Sequence, residues 1–343
     1  MSSEGSLRRD SNMELLRVVA MLFVMVLHTH VISFSHTDMV SGGDVMRMLW
    51  HNAVFVCVDV FVLLSGWYGL RATTRKLCAL VFQVLFFLLL SYAGHLLFNP
   101  SVNFSTRFLA HLFMLNGYWF VTSYLFLFVL SPVLNMFVEK ASRQQFLWVM
   151  VMLFTLQTIY GYLLEEKWYQ AGANPVFFVS LYLLARYIRL YRPRFSRFSK
   201  WADLTIYLSL VSLNAAVVLV LQCFGLSHLN GYVFVYVSPM VITAALYLLL
   251  FFSKLSLRSK AVNWLGASSF SAYLLHAAPN SFDVFQLTLY RFSDCLDGLA
   301  FTAFYFLYVA VIFLIAVLID QVRIRLWSLV FNGTQRHRDT KFN

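Results

Sequence analysis

An arginine and a histidine, Arg17 and His28, stand eleven residues apart inside the apolar stretch Met13–Val31. Charged and titratable side chains are costly in hydrocarbon, so both are candidates for function. Eleven helical residues turn through about 1100°, roughly 20° short of a return to the same face, and rise about 16 Å. The two side chains therefore project into one cleft at different depths. A guanidinium binds phosphate oxygens bidentately. A neutral imidazole takes a proton from a hydroxyl near neutral pH. Together they suit a long substrate with an anionic head. Each has a plainer alternative. His28 can bridge helices by a structural hydrogen bond, and Arg17 can snorkel to the interface, paired with Glu14 at i, i+3.

Other residues join them. Asp59 is a lone carboxylate within VCVDVFVLLSG. A buried, unpaired carboxylate is expensive, so it should orient His28, pair with an arginine or form a structural ion pair. Arg71 and Arg75 follow it, four apart and hence neighbours if that stretch is helical. Trp119 and His276 are candidates for contact with a substrate, against the default of an interfacial aromatic belt for the tryptophan. Ser65 lacks the G-x-S-x-G surroundings of a nucleophile elbow. The four cysteines form no disulfide framework and no metal-ligand spacing, so no metal is expected.

The elements that must position these residues follow from composition. The chain has 343 residues, 60% hydrophobic and only 12% charged, against about a quarter charged in a soluble domain. Lipid must be much of its solvent. Runs long enough to span a bilayer, roughly 20 residues each, occur ten times: 13–33, 46–68, 77–98, 117–138, 145–164, 175–191, 202–225, 231–252, 262–280 and 299–322. The expected fold is all-α and polytopic, with both termini inside. In that arrangement twenty-one of the 26 lysines and arginines fall on inner segments. Only Arg47, Arg107, Lys167 and Arg291 lie outside, as the positive-inside rule demands. The expected domain limits are a tail 1–12, a membrane domain 13–327 and a tail 328–343, without a cleaved signal peptide. The net charge of +11 is punctuation between apolar runs, not a nucleic-acid surface. The run Arg186–Lys200 reads as an inner amphipathic loop against anionic lipid.

Four segments resemble the acyltransferase-3 family of membrane proteins. They are MELLRVVAMLFVMVLHTH with its Arg-x10-His spacing, CVDVFVLLSGWYG (57–69), GYWFVTSYLFLFVLSP (117–132) and LGASSFSAYLLHAAP (265–279). They occur in the family's order and span most of the chain. The resemblance implies transfer of an acyl group, most often acetyl, from acyl-CoA to a carbohydrate hydroxyl. The family often has two arginines after the Ser-Gly, usually three apart. The wider spacing here leaves open whether Arg75 or Lys76 fills the second place.

On this reading His28 is the base or the acyl acceptor, with Asp59 beside it. Arg17 and Arg71 or Arg75 hold the phosphates of acetyl-CoA, the acyl donor. Trp119 and His276 face the acceptor, a sugar of a surface polysaccharide or of its lipid-linked precursor. The expected location is a bacterial inner membrane. A secondary transporter or flippase for a glycan-related solute would also use intramembrane His, Arg and Asp. The chain shows neither inverted repeats nor matched Gly/Pro-broken helices.

Overall fold

Apolar runs bounded by short polar caps fold into helices throughout. The computed structural model describes residues 10–29, 42–98, 118–164, 166–167, 172–279, 281–293, 295–296 and 298–339, and no strand occurs among them. The α-helices of seven residues or more are α1 (Ser11–Leu27), α2 (Gly42–Phe55), α3 (Cys57–Tyr68), α4 (Thr74–Phe98), α5 (Trp119–Lys140), α6 (Arg143–Leu156), α7 (Pro175–Tyr191), α8 (Lys200–Cys223), α9 (Pro239–Ser253), α10 (Lys260–Ser268), α11 (Phe270–His276), α12 (Phe282–Ser293) and α13 (Gly298–Asp339). Their ends follow local rules. Ser142 and Gln145 form a capping box on α6. Asn174 caps α7 ahead of a proline at its first position. Pro132, inside α5, has no N–H to give the carbonyl of Phe128; Ser131 Oγ donates to that carbonyl instead, at 2.7 Å.

Six helical stretches are long and apolar enough to cross a membrane: Val45–Tyr68, Thr74–Leu97, Trp119–Lys140, Arg143–Leu163, Lys200–Cys223 and Gly298–Phe331. They coincide with six of the ten expected spans, and the chain is a multi-pass membrane protein. The other four expected spans are shorter as helices. α1 and α7 have 17 residues each and α9 has 15. The ninth expected span divides into α10 and α11 at Ser269. The N-terminal tail to residue 9, the stretch from His30 to residue 41 and the chain from residue 340 lie outside the described residues. α13 continues through most of the expected C-terminal tail.

Two compact units make up the chain. The first is Met1–Ala72 with Trp119–Trp264, the second Thr73–Tyr118 with Leu265–Asn343. In the first, α3 lies at the centre, packed on α1, α7 and α9. Its residues Val60, Val62 and Leu63 are wholly buried. Gly66 is what lets α3 meet α7: a β carbon there would stand 2.4 Å from the carbonyl oxygen of Tyr182. The sequence TRKLCALVFQVLFFLLLSYAGHLLF of α4 packs in the second unit on α11 and α13. There Gln83 donates to Asp320 at 3.0 Å, and Arg323 binds both oxygens of Asp320 at 2.8 and 3.1 Å. These pairings satisfy polar groups that lipid could not.

Candidate functional site

α1 keeps helical geometry to its end, where His28, half-buried, is the C-cap and its N–H reaches Val24 O at 3.0 Å. Arg17 and His28 therefore share a face as the spacing requires. His30 lies outside the described residues. Arg17 is about one-third exposed and donates to Glu14 Oε2 at 2.6 Å. The snorkelling pair considered for it is thus made on its own helix. Its charge also acts on the hydroxyls of Tyr68 and Tyr124.

The end of α3 comes next to this arginine. Tyr68 donates to Asp10 Oδ2 at 3.2 Å, holding the start of α1. Ser65 Oγ donates to Phe61 O at 3.1 Å and stands 3.1 Å from Tyr124 Oη. Its only proton is engaged by a backbone carbonyl, so Tyr124 donates to it. Gly69 caps the helix at φ 77°, a conformation glycine adopts without strain.

A closed ring of hydrogen bonds fixes the chain just beyond. Leu70 N–H donates to Tyr182 Oη at 3.1 Å, Tyr182 donates to Asn135 Oδ1 at 2.6 Å, and Asn135 Nδ2 donates to Leu70 O at 2.7 Å. α5 and α7 so determine where the connection to α4 begins.

α7 then brings two more cations. Arg186 lies one turn after Tyr182 and lines up beside Gly69, its Nη1 3.2 Å from where a β carbon on Gly69 would be. Its Nε is buried and has no hydrogen-bond partner among the described residues. Arg189, three residues on, lies over the rings of Trp67 at 5.0 Å and Tyr68 at 5.3 Å. Such cation–π contacts contribute about 0.5–2 kcal/mol and hold a guanidinium without neutralising it. The basic run from Arg186, expected as a loop against anionic lipid, begins inside α7: both arginines lie in its last turns, within the 175–191 bounds expected for this span. The signal was present in their i, i+3 spacing on a helix that begins at an Asn-Pro cap.

Arg71 and Arg75 do not form the helical pair considered for them. Residues 69–73 are not helical, and α4 starts only at Thr74. Arg71 is exposed in the connection of the first unit. Arg75 is exposed in the first turn of α4, in the second unit.

Asp59 is wholly buried in the first turn of α3, and neither carboxylate oxygen has a hydrogen-bond partner among the described residues. The expected pairing with His28 or an arginine is not among its contacts. An isolated carboxylate in such surroundings is costly, so this position is held against a folding penalty.

Trp119, 39% exposed, belongs to an aromatic ladder rather than standing alone. It stacks on Tyr236 at 5.7 Å, Tyr236 on Phe55 at 5.1 Å, and Phe55 on His51 at 5.5 Å. Tyr236, which links the two ends of the ladder, was not anticipated. The other acceptor candidate, His276, lies in the second unit, 2% exposed, with Nδ1 donating to Ala272 O at 2.5 Å. That bond puts the ring proton on Nδ1. No group of three His, Cys, Asp or Glu that could hold a metal ion occurs among the described residues.

A family model described as an acyltransferase domain matches residues 10–321. No curated protein and no solved structure matches the chain.

Proposed function

Because the chain belongs to the acyltransferase-3 family, we propose that this membrane acyltransferase takes an acetyl group from acetyl-CoA and gives it to a sugar hydroxyl of a surface polysaccharide or lipid-linked glycan. The termini are inside, the spans number ten, and the membrane is the cell membrane of a bacterium. The basic residues of the inner segments support this orientation.

The donor enters from the cytoplasm. Its phosphates meet Arg17, Arg186 and Arg189 around the turn that follows Ser65–Gly66, with exposed Arg71 at the rim. The single observation that carries the reading is this convergence of three guanidinium groups at one end of α3. Among the described residues, the carboxylates that bond to the groups around them are Asp10 and Glu14. Such a cluster favours a multiply charged anion. The pantetheine arm then runs about 16 Å along the α1 face, a distance set by helical rise, and presents its thioester near His28.

His28 accepts the proton of the acceptor hydroxyl as the oxygen attacks the thioester carbonyl. The C–S bond breaks, and the imidazolium returns its proton to the departing thiolate. Acyl transfer first to the imidazole, then to the sugar, is the second route through the same residue. Trp119 and its ladder offer the acceptor an apolar ring face.

Purified protein in lipid nanodiscs with labelled acetyl-CoA tests this. Thioester cleavage is expected for the native chain and lost in His28→Ala. Turnover that survives His28→Ala would sink the catalytic assignment. Solute flux independent of acetyl-CoA in proteoliposomes would favour a transporter.

A further inference from the structure

The second unit contains a cavity of about 410 Å³ that the acyl-transfer reading does not use. That size is typical of sites for a small molecule or a lipid chain. Its longest wall is α13, where Tyr308, Ile312, Ile315 and Ile319 recur at helical spacing and so share one face. The eleven-residue separation from Tyr308 to Ile319 covers about 16 Å of helix.

The cavity is polar at one end only. Ser91 Oγ and Ser281 Oγ are hydrogen-bonded at 2.7 Å, and His276 and His95 lie on the same wall. Tyr308, which donates to Phe285 O at 3.3 Å, marks this end on α13, since Phe285 is also 5.0 Å from the His276 ring. The register between α4 and α13 places the other end. Gln83 on α4, eight residues before Ser91, bonds to Asp320 on α13, twelve residues after Tyr308. The two helices are antiparallel, and the isoleucines extend from the serine–histidine end toward that pairing.

The mouth is apolar and lateral. Leu90 is 36%, Ile315 41% and Val284 62% exposed. Leu90 and Ile315 belong to helices long and apolar enough to span a membrane, so the mouth opens to hydrocarbon. Gly94 leaves the wall hollow: a β carbon there would meet no atom within 4 Å.

We propose that this cavity seats one hydrocarbon chain of a membrane amphiphile, its polar head at the Ser91–Ser281–His276 end and its tail along Ile312, Ile315 and Ile319. A chain with one polar end matches a cavity with one polar end, and it reaches the mouth without leaving the bilayer. Two sources share this chemistry, bulk phospholipid and the prenyl carrier of a glycan.

The test uses the full chain in nanodiscs containing a phospholipid with a photoreactive diazirine in its acyl chain. Cross-links are expected on Ile312, Ile315 and Ile319. Gly94→Phe fills the hollow and should lose most of them, while labelling of Leu314 and Leu318 on the exposed side of α13 stays unchanged. Ile315→Trp narrows the mouth from a second wall and serves if Gly94→Phe fails to fold. Equal labelling of both faces, or labelling that a well-folded filling variant leaves intact, overturns the proposal. Displacement of the label by a small mole fraction of polyprenyl phosphate identifies the carrier lipid as the preferred source. Retention of the label identifies phospholipid. Thioester cleavage is measured in parallel, so that failure of the donor site is read separately from failure of this cavity.

Discussion

Gly66 and Tyr182 bring their backbones so close that no side chain fits between them: a β carbon on Gly66 would lie 2.4 Å from Tyr182 O and 2.9 Å from the β carbon of Ala185. This contact sets α3 against α7. It puts Arg186, four residues beyond Tyr182, beside the turn at Gly69. Gly66→Ala must push the helices apart, at a cost of about 1–3 kcal/mol for overpacking. We expect a lower unfolding temperature and weakened acyl-CoA binding together. Unchanged donor affinity in a destabilised Gly66→Ala protein would separate the helix contact from the donor site.

Arg186 should bind phosphate rather than serve as an interface anchor. Arg186→Gln is expected to weaken acetyl-CoA by about tenfold, the equivalent of 1.4 kcal/mol and the scale of one lost charged hydrogen bond. Affinity for S-acetylpantetheine, which carries no phosphate, should not change. Arg186→Lys should recover only part of the loss, because an ammonium cannot make a bidentate contact. Competition binding with the two thioesters measures both. Equal loss for both donors would assign Arg186 to structure.

Arg17 is bonded to Glu14 and only one-third exposed. A phosphate must compete with that carboxylate for the guanidinium. Removing the competitor by Glu14→Gln should tighten acetyl-CoA binding, while Arg17→Ala weakens it. The opposite signs of the two variants in one titration are the check. Because such partly exposed pairs contribute about 0.2–1 kcal/mol, the gain from Glu14→Gln should be a few-fold at most.

Asp59 has no hydrogen-bond partner at either carboxylate oxygen among the described residues. Asp59→Asn keeps its shape and removes an ionisable group from an apolar site. Stability should therefore rise or hold in thermal unfolding. If the carboxylate acts on His28 during turnover, thioester cleavage falls in the same variant, and the pH–rate profile shifts. A stable Asp59→Asn enzyme with native turnover and pH profile would remove Asp59 from the reaction.

Some of the site was legible in the chain because helix geometry is local. Arg17 and His28 share a face whatever surrounds α1, and the pairing of Arg17 with Glu14 follows from a three-residue separation. The helix positions of Asp59 and Trp119 were readable for the same reason. Arg71 and Arg75 failed as a helical pair because the turn at Gly69 and the late start of α4 break the period between them. The end of α7 at Tyr191 was legible from the apolar run 175–191, whereas the basic run from Arg186 overlaps that helix and by itself says nothing about where it stops; Arg192 then enters the left-handed region at φ 42°.

Composition and motif order by themselves determined that this is a helical membrane protein of the acyltransferase-3 family. Too much apolar surface leaves no soluble alternative, and helical period fixes which residues on one segment look the same way. Only the tertiary structure decided which faces meet. The close approach at Gly66, the ring of hydrogen bonds through Leu70, Tyr182 and Asn135, the cations of α7 beside α3 and the one-ended polarity of the second unit's cavity join residues far apart in sequence. Their partners are chosen by steric fit and by the need to satisfy polar groups away from water, and neither is written into the period of a single helix.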